Sequence, residues 1–214
     1  MRIAVNALLI GEARHFARGE ASAIDKRSID GTVSIGFLGI IGDEQADLRV
    51  HGGRGKALHH YPFDHYAYWA ALKPNHPLLG AAGAFGENIS TLGLVEDEVC
   101  IGDRFRLGSA LIEISQGRQP CWKQGQRMEW DALPAVVVRE RRSGWYYRVI
   151  EEGAAQAGDH LTLVDRLLPE WTVKRTFGLL IGGDYKRDPA ALGALAGMEL
   201  LDESWRIRAA KLAQ

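Results

Sequence analysis

Up to about Arg166 the apolar runs of this chain are short, and glycine interrupts them every several residues. Residues 33–35, 99–107, 111–114, 146–150 and 161–164 carry β-branched and aromatic side chains in strand-length stretches. A first strand ends at Ile10, and Gly108-Ser109 is suited to a tight hairpin turn between two later stretches. No strand–helix alternation accompanies them. Many short strands broken by turns predict a mainly β, α+β fold: a β-barrel or similar closed sheet with short helices. One helix is predicted over 63–72, opening after Pro62 and stopped by Lys73-Pro74, and another over 133–141.

From Thr172 the pattern turns helical. Thr172 can cap a segment reaching Ile181, and Asp188-Pro189 offers an N-cap followed by proline at the first helical position, with Gly197 closing the turn. Asp202 or Ser204 caps a last helix carrying Trp205 and Leu212. Helices this short must pack on each other or on the barrel. The expected organisation is a barrel over 1–168 and a three-helix module over 169–214. The module holds no Cys, no His and no Gly-rich anion loop, so it is not expected to ligate a metal. Covering one side of a pocket or docking a redox partner suits it better.

At 214 residues the chain can bury a real core, and its formal net charge of −1 argues against a polyanion partner. Arg139, Arg141, Arg142 and Arg148, preceded by Arg118, Lys123 and Arg127, form a local excess that suits one phosphate group better than a nucleic-acid backbone. The same residues also fit a solvated face balanced by Glu140 and Glu151. Only Cys100 and Cys121 are present, so a disulfide framework is not expected and a reducing compartment, the cytoplasm, is the default. The apolar run ending at Ile10 is too short to span a membrane.

Chemistry concentrates at Ser115-Gln-Gly-Arg-Gln-Pro-Cys121-Trp-Lys123. A thiol between Arg118 and Lys123 is biased toward the thiolate, the form that attacks electrophiles and ligates metals. A buried residue at a strand end is the bland alternative. Val50-His51-Gly52-Gly53-Arg54-Gly55-Lys56 offers backbone amides and cations to an anion, without Walker spacing. His59, His60 and His65 lack an HExxH or CxxC companion, and neighbouring strand residues point to opposite faces, so zinc is not favoured. Phe85-Gly86-Glu87-Asn88 is either a polar reading loop or a simple turn, and Trp145 with one neighbouring tyrosine fits the core.

Taken together, Ser22-Ala-Ile-Asp-Lys-Arg27, Gly42-Asp43-Glu44-Gln45-Ala46-Asp47, Val50-His51-Gly52-Gly53, His60-Tyr61-Pro62, Phe85-Gly86-Glu87-Asn88, Gly102-Asp103 and Arg118-Gln-Pro-Cys121 resemble the MOSC domain. That domain is named for the C-terminal domain of molybdenum-cofactor sulfurases, and the likeness is to its small stand-alone bacterial branch, the YiiM type. Glu170-Trp171-Thr172-Val173 and Glu203-Ser204-Trp205 resemble the three-helix extension of that branch. The order of the motifs over nearly the whole length carries the resemblance. Arg54-Gly55 stands where a Pro-Asp pair often follows the glycines, which leaves the phosphate contacts of that loop open.

The resemblance implies a barrel that binds the molybdenum cofactor, a pterin dithiolene with a phosphate; pyridoxal phosphate is not among the implied cofactors. The family cysteine falls on Cys121, as ligand to molybdenum and catalytic residue. Implied for His51, Gly52, Gly53 and Lys56 is holding pterin or phosphate; for Glu87 and Asn88, reading the pterin edge; for Arg118 and Lys123, stabilising thiolate and cofactor; for His60, delivering protons. The implied reaction removes oxygen from N-hydroxylated substrates such as N-hydroxylated purines, a detoxification. No iron–sulfur, flavin or nicotinamide motif is present, so electrons would come from a separate protein, such as a flavoprotein reductase. Two rival classes stay open: a cofactor or sulfur carrier using a Cys121 persulfide, and a hydrolase pairing Cys121 with His51 or His60. The reductase reading predicts that Cys121, His51, the Glu87-Asn88 loop and Arg118 line one pocket at a barrel mouth.

Overall fold

The computed structural model describes residues 1–46 and 52–214; His51 and Val50 lie outside the described residues. Strands β1 (Arg2–Ile10), β2 (Arg14–Ala17), β3 (Glu20–Ser22), β4 (Arg27–Ser28), β5 (Val33–Gly36) and β6 (Gly39–Ile40) open the chain. They are followed by β7 (Leu58–His60), β8 (Ile89–Thr91), β9 (Arg104–Leu107), β10 (Ala110–Gly117), β11 (Trp145–Glu151), β12 (Gly153–Ala155) and β13 (His160–Asp165).

Seven strands close into a barrel in the order β13-β9-β10-β11-β7-β8-β1, with β1 pairing back to β13, and β4 extends beside β1. Strand β1 serves two barrel neighbours besides β4: Arg2–Ala4 face β13, and from Val5 to Leu8 the strand faces β8, with an irregularity between Val5 and Ala7. Such a bulge bends a strand and so helps a sheet close. Every barrel pairing is antiparallel except β7 with β8, which meet at His60 and Ile89. The β9–β10 hairpin turns at Gly108, whose φ is +56° and where a Cβ would sit 2.1 Å from the Ala154 carbonyl oxygen. Only glycine fits there.

One expected strand is shorter than its apolar pattern. Of residues 99–107 only Arg104–Leu107 is strand. Upstream, Gly102 at φ +81° turns the chain, and the Asp103 carboxylate accepts the Cys100 amide at 2.8 Å. An aspartate bonding a nearby amide competes with a ladder.

Among the described residues six α-helices complete the fold: α1 (Asp64–Leu72), α2 (Trp122–Arg127), α3 (Leu133–Glu140), α4 (Val173–Leu180), α5 (Ala190–Ala196) and α6 (Glu203–Leu212). Arg141, left-handed at φ 56°, ends α3. Thr172 caps α4 by accepting the Arg175 amide at 3.1 Å, and Asp202, not Ser204, caps α6. At α5 the cap position falls on Pro189, one residue later than the Asp188-Pro189 pattern predicts.

Two apolar clusters hold these parts together. The larger fills the barrel with Val5, Leu8, Phe105, Ile112, Ile114, Trp145 and Tyr147, and continues without a break into Val173, Phe177, Leu192 and Trp205 of the C-terminal helices. Helix α4, too short to persist alone, is thus anchored by the barrel's own core. At Gly117 the contact is close: a Cβ would stand 3.0 Å from the Trp205 ring. The smaller cluster joins α1, α2 and α3 through Tyr61, Tyr66, Trp69, Phe85, Met128, Leu133 and Val137. Phe85 stacks on Tyr61 at 4.0 Å, which ties the 85–88 loop to this second core.

Candidate functional site

Side chains alternate across β7 and β11, and that alternation builds the site. Cross-strand partners His60 and Trp145 face the barrel interior, their rings 4.2 Å apart. The next pair, His59 and Tyr146, faces outward, with ring centroids 5.2 Å apart. Loops carrying Ser22 to Lys26, Asp43 to Ala46, Phe85 to Asn88 and Arg118 to Lys123 close over that outward pair, leaving an open cleft of about 610 Å³. The cleft therefore lies against the outer face of the barrel wall, not in a barrel mouth.

Arg118 follows directly on β10, and its amide donates to the Gly144 carbonyl at 3.0 Å. Its guanidinium is buried, and Nη2 stands 3.8 Å from the Cys121 Sγ. Arg118 Nε and Nη1 meet no hydrogen-bond partner among the described residues. Burial opposes its charge, but Tyr146 and Cys121 together more than offset that and raise its pKa. Cys121 is half-buried in extended backbone at the N-cap position of α2, and its carbonyl accepts the Gln124 amide at 3.1 Å. Helix α2 itself escapes sequence reading: six residues containing Gly125 show no amphipathic period.

His59 is buried in the cleft wall, with its Nε2 also unpartnered among the described residues. Burial, then the charge of Arg118, push its pKa well below the ordinary histidine value, so the ring is neutral at neutral pH. Lys26 and Asp43 form a buried ion pair, Nζ to Oδ2 2.6 Å, and burial pulls Lys26 downward. Lys56 ends a 3-10 turn, Arg54–Lys56, pinned by the Ser115 hydroxyl donating to the Gly55 carbonyl at 2.6 Å. Its pKa is lowered by burial, against the opposing pull of Asp202. Lys123 donates to the Ala21 carbonyl at 2.8 Å and pairs with Glu20 at 3.0 Å.

Of the residues singled out by sequence, Lys56, Asn88, Arg118, Cys121 and Lys123 line this cleft. Asn88 spends its side chain on structure, donating to the Leu9 carbonyl at 3.1 Å and Asp43 at 2.8 Å and accepting the His59 amide at 3.1 Å. Glu87 turns inward instead: it is fully buried and accepts from the Tyr66 hydroxyl and from the Gly83 and Phe85 amides at 2.7 and 3.1 Å. Its carboxylate holds the loop and does not reach the cleft lining. Gly86 lets that loop pass Ile24, where a Cβ would stand 2.8 Å away, at φ +77°.

His60 is likewise placed away from the cleft. It bonds Tyr147 at 3.1 Å and Thr91 at 2.9 Å inside the barrel, and burial lowers its pKa to about 3. A proton carrier is thus not placed there; among the described residues the histidine that lines the cleft is His59. Gly52 and Gly53 precede the Lys56 turn but are not among the described residues lining the cleft. Lys26, Asp43, His59 and Tyr146 also line the cleft, beyond the site residues that the sequence points to. In the sequence only their motifs mark Lys26 and Asp43, and for His59 and Tyr146 the available signal is strand alternation.

Four cations and two carboxylates, a half-exposed thiol and buried unpaired nitrogens suit an anionic ligand carrying a soft metal. The residues present therefore fit a molybdenum cofactor. Residues 47–162 match the MOSC domain family. Protein YiiM of Escherichia coli (strain K12) is 43% identical over 157 residues, 73% of this chain and 70% of that protein. A Gibberella moniliformis protein named Reductase is 40% identical over 153 residues, 71% of this chain but 27% of its own length. The crystal structure of YiiM from Geobacillus stearothermophilus superposes with a TM-score of 0.82 at 31% identity, covering 99% of this chain and all of that one. With a matching family, close relatives and a shared barrel, this chain belongs to the MOSC domain family, in its YiiM-type branch.

Proposed function

We propose that the cleft binds the molybdenum cofactor, with Cys121 as protein ligand to the metal, and that the protein reduces N-hydroxylated substrates such as N-hydroxylated purines. MOSC domains are associated with this cofactor, and one similar protein is named a reductase. The observation that carries the reading is the pairing of a half-exposed thiol with a buried guanidinium that keeps two nitrogens unpaired. When bound, the cofactor supplies the two-electron reduction that turns N–OH into N–H and water, its electrons renewed by a separate donor protein.

This chain's residues do the rest. Arg118 holds negative charge beside the Cys121 Sγ, in a pocket where burial strengthens the attraction. Lys26 and Asp43 brace the far wall as a neutral pair. Lys56 lines the cleft and supplies a cation for the anionic part of the bound cofactor. Neutral His59 accepts a hydrogen bond at Nε2 from a bound N–H or O–H group.

The test is protein made in a host able to synthesise the cofactor, assayed for molybdenum, pterin and turnover of an N-hydroxylated purine with an artificial reductant. Bound metal with turnover, both lost in Cys121→Ser, is the expected result. Bound metal without turnover would favour a carrier, and no metal at all would sink the cofactor reading.

A further inference from the structure

Glu96 stands outside the cleft yet is almost wholly buried. Its Oε1 accepts the Gly144 amide at 2.7 Å, and its Oε2 lies 2.7 Å from His65 Nε2. The other ring nitrogen of His65 is 2.7 Å from Arg142 Nη1. A guanidinium can only donate, so His65 Nδ1 accepts and Nε2 carries the hydrogen given to Glu96. Both carboxylate oxygens are thus committed, one to a histidine on α1 and one to the peptide that leads into β11.

Gly144 is where that grip reaches the cleft. Its φ is +67°, and a Cβ there would stand 2.3 Å from the His60 carbonyl oxygen and 3.1 Å from His59 Nε2. Its carbonyl receives the Arg118 amide at 3.0 Å. Among the described residues, the two cleft groups with unpaired nitrogens, Arg118 and His59, therefore both rest on one residue, Gly144, and Glu96 fixes its amide from behind.

We propose that Glu96, oriented by His65, is a positioning residue for the cleft: by fixing Gly144 at its amide it holds the Arg118 guanidinium beside Cys121 and the His59 ring in the wall. The proposal rests on reading this cleft as the reactive site, and its effect is geometric. Misplacing a supporting group by about an ångström can cost orders of magnitude in a preorganised site.

The experiment needs no cofactor. In a Cys100→Ala background, the rate of Cys121 alkylation by iodoacetamide at neutral pH reads how well Arg118 attends the thiol, because a neighbouring guanidinium favours the reactive thiolate. Glu96→Ala is expected to slow alkylation about tenfold, close to the loss in Arg118→Gln. Glu96→Gln, with one acceptor for two donors, should fall between, at about threefold. Asp103→Asn, a change in a buried carboxylate that grips Arg166 outside the cleft lining, controls for general destabilisation and should leave the rate unchanged. Should Glu96→Ala fail to fold, Glu96→Gln alone decides. Wild-type rates in the Glu96 variants, or an equal fall in Asp103→Asn, would overturn the proposal. A protein that lacks molybdenum and turnover yet shows the expected alkylation order would sink the reductase reading and leave this one standing.

Discussion

Two arginines beside the two cysteines, Arg166 half-buried and Arg118 buried, are treated in opposite ways. Arg166 grips Asp103 through Nε at 2.9 Å and Nη2 at 2.6 Å, and Nη2 also reaches the Glu98 carbonyl at 2.7 Å. Asp103 in turn holds the Cys100 amide, and the Cys100 thiol donates to the Pro169 carbonyl at 3.5 Å. Donors and acceptors are matched there, and the result is a clamp between the barrel and the chain entering α4. Arg118 has the long contact to Cys121 and two nitrogens left over. An unsatisfied buried polar group costs about 1–3 kcal/mol, so such an arrangement persists where a ligand repays it. What sets Arg118 apart is the place of its unpaired nitrogens, at the border of a cleft and beside a half-exposed thiol.

The hardest blow to this contrast comes from Cys121→Ser. A hydroxyl is a poor substitute for a soft ligand, so molybdenum content and turnover should drop by about a hundredfold or more while the melting temperature stays put. Metal analysis beside a reductase assay measures it, and a fully active Cys121→Ser protein would erase the distinction. The opposite signature belongs to Asp103→Asn. Weakening the Arg166 grip should cost about 2 kcal/mol in urea denaturation and leave molybdenum content intact.

How far such a contrast can be read from sequence differs residue by residue. Arg118 and Cys121 were legible because three positions bring charge and thiol together, whatever the fold. The barrel was legible from short runs and turns, since the Gly108 hairpin and the caps of α4 and α6 are local. His59 and His60 were legible only as a pair that must part. Which one enters the cleft depends on register with β11, where Trp145 goes inward with His60 and Tyr146 outward with His59. Glu87 misled because its partners, Tyr66 and the amides of its own loop, are set by the packing of α1 against Phe85. Lys26 and Asp43 meet across seventeen positions, beyond any local pattern.

Acid should separate the two histidines' neighbourhood from the rest of the barrel. Burial lowers His60 to about 3, while an unfolded histidine titrates near 6.5. Between those values the unfolded chain carries a proton that the folded chain refuses. Stability is therefore full above about 6.5 and falls as pH drops toward 3, by up to about 1.4 kcal/mol per unit for this residue. His59, lowered in the same sense, adds to the slope. His60→Gln should flatten the decline between about pH 7 and pH 5 by about one residue's share, read from urea midpoints. An unchanged slope would show that His60 is not the neutral core group its surroundings require.

The smallest effect is reserved for the other thiol. Burial first, then the charge of Asp103, push Cys100 up to about 11, so it stays protonated and unreactive at neutral pH. Its side chain is buried and touches the Pro169 carbonyl. Cys100→Ala removes one sulfur from a packed wall and one weak donor, a loss of about 1 kcal/mol. Molybdenum content, turnover and the alkylation rate of Cys121 should all match the unmodified protein. A Cys100→Ala variant that lost activity with little loss of stability would place reactive chemistry inside the clamp and collapse the comparison between the two arginines.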